Sequence, residues 1–182
     1  MAQNTAYWLQ VAPVGAADNA SLVSHVAALV NEAYSKTEKG IFGAGYRRTD
    51  DDDIATYMRQ GQLVTASDSA NAVVGCVVVK QLSQRLGDMG PLALESTLHG
   101  TGLGRGLVQF AEQHCRQLGC TAMQLELVVP KSFHHDFKAR LQSWYLRMGY
   151  RVVRLGSFHD EYPHLEALLT GPIDYKIFEK SL

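Results

Sequence analysis

No charge of one sign is in excess in this chain of 182 residues: 17 Lys and Arg stand against 18 Asp and Glu, for a formal net charge of −1. Without a basic field the chain is not expected to hold nucleic acid, and it has no acidic tail for a charged macromolecular partner. A small, locally recognised molecule is the default. Long apolar runs are also missing, so no segment has the length of a membrane span, and the stretch from Met1 to Trp8 lacks the basic region and apolar run of a leader. The expectation is a cytoplasmic protein with no membrane partner. Cysteine is scarce: Cys76, Cys115 and Cys120 form no C-x-x-C pair and sit in apolar or helical contexts, as reduced, mostly buried thiols do. No His-x-x-x-His spacing occurs, and the adjacent His134 and His135 before Asp136 are poorly placed to aim at one ion, so no metal is expected. The acidic run Asp50 to Asp53 follows Thr49 and reads as a helix start, with Thr49 or Asp50 as N-cap, rather than as a calcium loop.

What is present is apolar content sufficient for a core. Hydrophobic residues make up 46% of the chain, and the length suits one domain covering residues 1–182. Tyr7 to Val14 alternates as a strand up to Pro13 and Gly15. Asp18 or Asn19 then caps a helix whose apolar face runs Leu22, Val26, Leu29, Val30, Ala33, Tyr34. Lys39 to Arg48 breaks the pattern as a loop with aromatics and cations, and Phe42, Tyr46 and Arg48, together with Tyr34, are candidate walls of a substrate pocket. A helix from Asp51 to Arg59 stops at Gly61. Leu63–Ala66 and Val73–Val79 read as a hairpin turning at Asp68–Asn71. Arg85 to Leu94 is a strand interrupted by Gly87, Gly90 and Pro91, which argues for a bulge or a splayed edge. Further on, Leu107–Leu118 is a helix ended by Gly119, Thr121–Val129 a strand, Phe137–Met148 a helix ended by Gly149, Tyr150–Leu155 a strand, Tyr162–Leu169 a short helix, and Asp174–Lys180 a last strand.

The most distinctive stretch is His99-Gly100-Thr101-Gly102-Leu103-Gly104-Arg105-Gly106, set between the apolar strand end Pro91-Leu92-Ala93-Leu94 and a helix. Glycines in that position let a ligand approach backbone N–H groups, and a helix start favours an anion such as a phosphate. A P-loop is excluded because no Gly-Lys-Ser/Thr is present. A dinucleotide fingerprint would follow the first strand of the domain, and this loop lies past mid-chain. A plain flexible turn is the remaining local alternative.

His99-x-x-Gly102-x-Gly104 resembles the acyl-CoA loop of the GNAT superfamily of N-acetyltransferases, Gln/Arg-x-x-Gly-x-Gly/Ala, with His99 in place of Gln or Arg. Trp144-Tyr145-Leu146-Arg147-Met148-Gly149-Tyr150 resembles that family's second signature, a Tyr four residues before Gly-Phe/Tyr. The likeness covers nearly the whole chain. It implies an α/β (α+β) fold with a mixed, mostly antiparallel twisted sheet of about seven strands and helices on both faces, its fourth strand bulging away from the fifth so that the pantetheine arm can enter. By the same resemblance acetyl-CoA would lie on Leu92, Ala93, Leu94 and the loop from His99 to Gly106, with the amides of Leu103, Gly104 and Arg105 on the pyrophosphate, and Tyr145 would protonate the departing thiolate. The family often has an asparagine seven residues before that tyrosine, where this chain has Lys138.

Acetyl transfer to an amine also needs a proton acceptor. Asp88, five residues before Ala93, matches the place where some members of the superfamily carry a catalytic Glu, and Glu126 lies among apolar neighbours that could raise its pKa. A water-mediated route stays open. His134 and His135, in the segment Lys131–Asp136, are further pocket-rim candidates, as are His159 to Tyr162. The expected acceptor is a primary amine on a small molecule, with a protein N-terminus or lysine as the alternative. A CoA-binding regulatory module without turnover is the rival class, and a homodimer is an open possibility for assembly.

Overall fold

The computed structural model describes residues 7–182; the sequence reading of Met1 to Ala6 lies outside the described residues. Seven strands form one sheet in the order β1 (Trp8–Val11), β2 (Leu63–Ser67), β3 (Val73–Gln81), β4 (Leu86–Leu94), β5 (Ala122–Pro130), β7 (Ile173–Ser181), β6 (Arg151–Leu155). Every neighbouring pair is antiparallel except β4 and β5. That parallel pair is joined through α3 (Leu103–Gln117), as a strand-helix-strand crossover requires. The mixed, mostly antiparallel sheet expected from the sequence is therefore present.

Both faces are covered by helices. On one face α3 and α4 (Asp136–Arg147) bury Leu107, Val108, Ala111 and Tyr145 against Val77, Met123 and Leu125. On the other, α1 (Ala20–Thr37) and α2 (Asp51–Arg59) pack Val26, Val30, Ile54 and Met58 against Leu63, Cys76 and Val78. A third cluster, Ile41, Val128, Phe158, Leu165, Tyr175 and Ile177, closes the end of the sheet near β7. The helix starts follow local chemistry. The Asn19 side chain accepts from the Leu22 N–H at 3.1 Å, and the Asp50 carboxylate accepts from the Asp53 N–H at 2.9 Å, so the acidic run is a helix cap. All three cysteines are buried and unbridged.

Several boundaries differ from the sequence expectation. β1 ends at Val11 and Pro13 leads into one 3-10 turn, Val14–Asp18, because proline has no N–H for the ladder. The expected short helix over Tyr162–Leu169 is two single turns, α5 (Phe158–Glu161) and α6 (Pro163–Glu166), separated at Tyr162 by the proline that follows it. α3 begins at Leu103, so Gly104 and Gly106 belong to its first turn rather than to a loop: Gly102 turns the chain with φ +94° and its carbonyl accepts from the Gly106 N–H at 3.0 Å.

The strand splays where Gly90 and Pro91 interrupt the pairing, although its burial alternates without a break. The β3–β4 register shifts between Val77 opposite Leu92 and Val79 opposite Met89. On the other side, β4 pairs with β5 only over Leu86–Asp88 opposite Ala122–Gln124. Past Asp88 the two strands part, and the edge of β4 from Leu92 to Leu94 opens onto a cavity.

Candidate active site

A cavity of about 600 Å³ occupies the split between β4 and β5. One end is made by the start of α3. There the chain provides no side-chain cap, and the N–H groups of Leu103, Gly104 and Arg105 have no backbone acceptor within the helix. The Leu103 N–H is turned to the Thr101 hydroxyl at 3.4 Å, which leaves Gly104 and Arg105 as the freer donors. His99, Gly100, Gly102, Gly104 and Arg105 line the cavity together with Leu92, Ala93 and Leu94. Thr101, Leu103 and Gly106 do not: the Thr101 hydroxyl donates to the Leu98 carbonyl at 2.7 Å, Leu103 is buried in the core, and Gly106 faces Leu9. At Gly100 and Gly102 an added Cβ would meet nothing within 4 Å, so both glycines leave open space in front of the helix start. A Cβ at Gly104 would instead lie 3.3 Å from Leu94.

α4 forms the middle of the cavity. Residues seven apart fall on one helix face, and Lys138 and Tyr145 are the two buried residues of this helix. The Tyr145 ring packs among Trp144, Tyr150 and Phe178 at centroid distances of 5.0, 5.9 and 6.1 Å. Its hydroxyl has no hydrogen-bond partner among the described residues, and burial, assisted by nearby Tyr34, pushes its pKa up. A proton on it is therefore well retained. Lys138, standing where an asparagine was the familiar residue, donates to Glu38 at 2.6 Å, both side chains being buried. Glu38 also accepts from the Tyr46 hydroxyl. The pairing ties the end of α1 to α4 and to the loop after α1.

The far end holds aromatic rings and charge. From that loop come Phe42 and Tyr46, stacked at 4.1 Å, and Arg48. Arg48 is placed by α1: the Asn31 side chain accepts from the Arg48 and Thr49 N–H groups at 2.7 and 3.2 Å and donates to the Thr49 carbonyl at 2.9 Å. The guanidinium lies 5.4 Å from the Tyr34 ring centre and 4.7 Å from that of Tyr162, and donates to the Tyr162 hydroxyl at 3.3 Å. Tyr162 in turn donates to Glu126 at 3.1 Å. The Tyr34 hydroxyl is pushed up to about 12, chiefly by burial.

The two carboxylates named from the sequence are separated by the strand split. Glu126, on the part of β5 that β4 has left, lines the cavity. Asp88 does not; it sits at the last paired position, opposite Gln124, whose side-chain amide donates to it at 3.5 Å. Burial first, and the Glu126 charge second, push Asp88 up to about 7. His134 and His135, expected on the pocket rim, do not line the cavity. His134 pairs with Asp136 at 3.1 Å in solvent, and the His135 ring nitrogen accepts from the Lys138 N–H at 3.4 Å as the cap of α4. His159 pairs outward with Glu166 at the surface, and within His159 to Tyr162 only Tyr162 lines the cavity, beside Phe158 just before that segment. Sequence reading did not single out Glu38 or Tyr175. Tyr175 alternates correctly on β7 yet carries no motif. Among the described residues no three His, Cys, Asp or Glu side chains gather as a metal site would need, and no helix is long and apolar enough to cross a membrane.

Residues 30–150 match the acetyltransferase (GNAT) family. No curated protein matches the chain in sequence. Among solved structures, the fold is similar to the PaiA N-acetyltransferase of Thermoplasma acidophilum in complex with coenzyme A, with 13% identity, 97% of this chain and 99% of that one covered, and a TM-score of 0.71. It is also similar to a chain of the NatC complex bound to Gag peptide and CoA, with 18% identity, 97% and 98% covered, and a TM-score of 0.67. A third likeness is to N-acetylglutamate synthase from Neisseria gonorrhoeae complexed with coenzyme A and N-acetyl-glutamate, with 13% identity, 99% of this chain but 36% of that one covered, and a TM-score of 0.64.

Proposed function

Because the chain belongs to the GNAT family of acetyltransferases, we propose that it transfers the acetyl group of acetyl-CoA to the primary amine of a small molecule by direct attack. One observation carries this reading: a single cavity runs from the uncapped start of α3, past Tyr145, to Glu126. The residues at the first end fit the cofactor, since the open space before Gly100 and Gly102 would be filled by any side chain there. When bound, acetyl-CoA supplies an acyl group activated as a thioester. The Gly104 and Arg105 amides and the Arg105 guanidinium hold its phosphates at the positive end of the α3 dipole. The free edge of β4 from Leu92 to Leu94 offers backbone hydrogen bonds to the pantetheine amides. Lys138, occupied by Glu38, is not needed for that contact.

The chain's own chemistry is proton management and alignment, which can supply much of the rate. Glu126 takes a proton from the incoming ammonium, freeing the nitrogen lone pair. The C–N bond forms as the C–S bond breaks, and the Tyr145 hydroxyl gives its proton to the departing sulfur. The second nitrogen proton, lost as the amide forms, returns through solvent to Tyr145, and Glu126 releases its own to bulk water. Asp88 sits behind Glu126, outside the cavity lining, and does not act on the amine. Thiol release from acetyl-CoA across a panel of primary amines tests the activity. Tyr145→Phe keeps the ring, so acetyl-CoA affinity stays the same while single-turnover acetyl transfer falls by about a hundredfold. Wild-type single-turnover rates in Tyr145→Phe across pH would return Tyr145 to a packing role.

A further inference from the structure

The acceptor end of the cavity contains a cation whose counter-charge is missing. Arg48 is partly buried between two tyrosine rings, and its guanidinium has no carboxylate within ion-pair distance among the described residues. Its one side-chain hydrogen bond is to a neutral hydroxyl, that of Tyr162. The nearby Glu38 is already engaged by Lys138 and Tyr46. A guanidinium removed from water with no anion is unfavourable unless a ligand supplies one, and its planar fork suits a carboxylate.

The opposite charge stands one hydroxyl away. Tyr162 links Arg48 to Glu126 through bonds of 3.3 and 3.1 Å, so cation and anion face the same end of the cavity across a single bridging oxygen. Next to them the Tyr175 side chain, 4% exposed, lines the cavity with its hydroxyl lacking any hydrogen-bond partner. A buried hydroxyl left unpaired is costly, and this one is closed off beside Glu126, so it steadies that carboxylate rather than opening to the cavity. The walls beyond, Phe42, Phe158 and Leu165, are apolar.

We infer that the acceptor is a free α-amino acid with an apolar or aromatic side chain: Arg48 binds its carboxylate and Glu126 receives its ammonium. This rests on the acetyl-transfer reading and deepens it from any small amine to one carrying an anion beside the nitrogen. A peptide N-terminus, which has an amide where the amino acid has a carboxylate, leaves Arg48 unmatched and is disfavoured.

Matched acceptors test this with the intact protein and acetyl-CoA: phenylalanine against phenethylamine and phenylalaninamide, leucine against 3-methylbutylamine and leucinamide. Wild type is expected to show a kcat/KM for at least one free acid about a hundredfold above its decarboxylated and amide partners. In Arg48→Gln that ratio collapses towards one, mostly through KM, while Arg48→Lys keeps part of it; calorimetric binding of acetyl-CoA checks that each variant is folded. Equal or better use of the decarboxylated amine or the amide by wild type would overturn the inference and leave acetyl transfer standing. A ratio unchanged in folded Arg48→Gln would overturn it as well. Acetyl-CoA binding with no turnover of any acceptor would overturn the transferase reading itself, and this inference with it.

Discussion

Asp88 shows how one residue's surroundings set its chemistry. Burial and the Glu126 charge raise its pKa from 3.8 to about 7, against the opposing pull of Lys80 and the Gln124 amide. Folding therefore favours the protonated acid. The stabilisation this gives is fully present below the unfolded value of 3.8 and is lost as pH rises through about 7. Asp88→Asn mimics the neutral acid, so its advantage over wild type should grow between those two values, with a slope approaching about 1.4 kcal/mol per pH unit, and stay flat above them. Urea unfolding of both proteins from pH 4 to pH 9 measures this. Parallel curves would show that Asp88 is ionised throughout in the folded protein. The same position explains why Asp88 is unsuited to meet the amine: it lies at the foot of the strand split, where β4 is still paired with β5.

At the scale of elements, the cavity is held open and shaped by a buried tie. Glu38 at the end of α1 and Lys138 in the first turns of α4 have side chains 5% and 4% exposed and meet at 2.6 Å. Removing one partner strands the other's charge in the interior. Lys138→Met is expected to destabilise the fold by about 3–5 kcal/mol, whereas Lys138→Met combined with Glu38→Met restores most of that loss. Denaturant unfolding of the two single variants and the double variant completes the cycle. Additive losses would show that the two charges act independently. Tyr46 also depends on Glu38, so the acceptor KM should rise in the double variant even where stability returns. The other decisive element is α3. Its first turn contains Gly104 and Gly106 and lacks a capping side chain, which a helix starting at Leu107 would not have placed beside the cavity.

For the whole molecule, the cavity is where β4, α3, α4, β5 and the loop after α1 converge. A ligand spanning it links elements that otherwise meet mainly through the sheet. Binding to the folded state alone should stabilise it by about 2.7 kcal/mol at a hundredfold excess over Kd. For a chain of this size that corresponds to a rise in Tm of about 5–10 °C. Thermal unfolding with and without coenzyme A tests it. No rise at millimolar coenzyme A would show that the folded protein does not bind it.

The caps at Asn19 and Asp50, the stops at Gly119 and Gly149, the glycine run before α3 and the spacing from Tyr145 to Gly149 were legible because each depends on neighbours within a few residues. Apolar periodicity likewise placed the strands and the long helices, since burial of one face needs only the right period. The sequence thus determined the order of elements, the mixed sheet and the glycine-rich turn before α3. It could not determine which charges meet. Glu38 and Lys138 are 100 residues apart, and Arg48 and Tyr162 are 114 apart. Only packing decided that Lys138 is consumed by an ion pair while Arg48 is not. The same holds for Asp88 and Glu126, two equally plausible carboxylates in sequence that the parting of β4 from β5 set on different sides of the cavity wall, and for His134 and His135, turned by the start of α4 to solvent and to a helix cap. Such outcomes depend on long-range contacts, whose energies no local pattern of residues encodes.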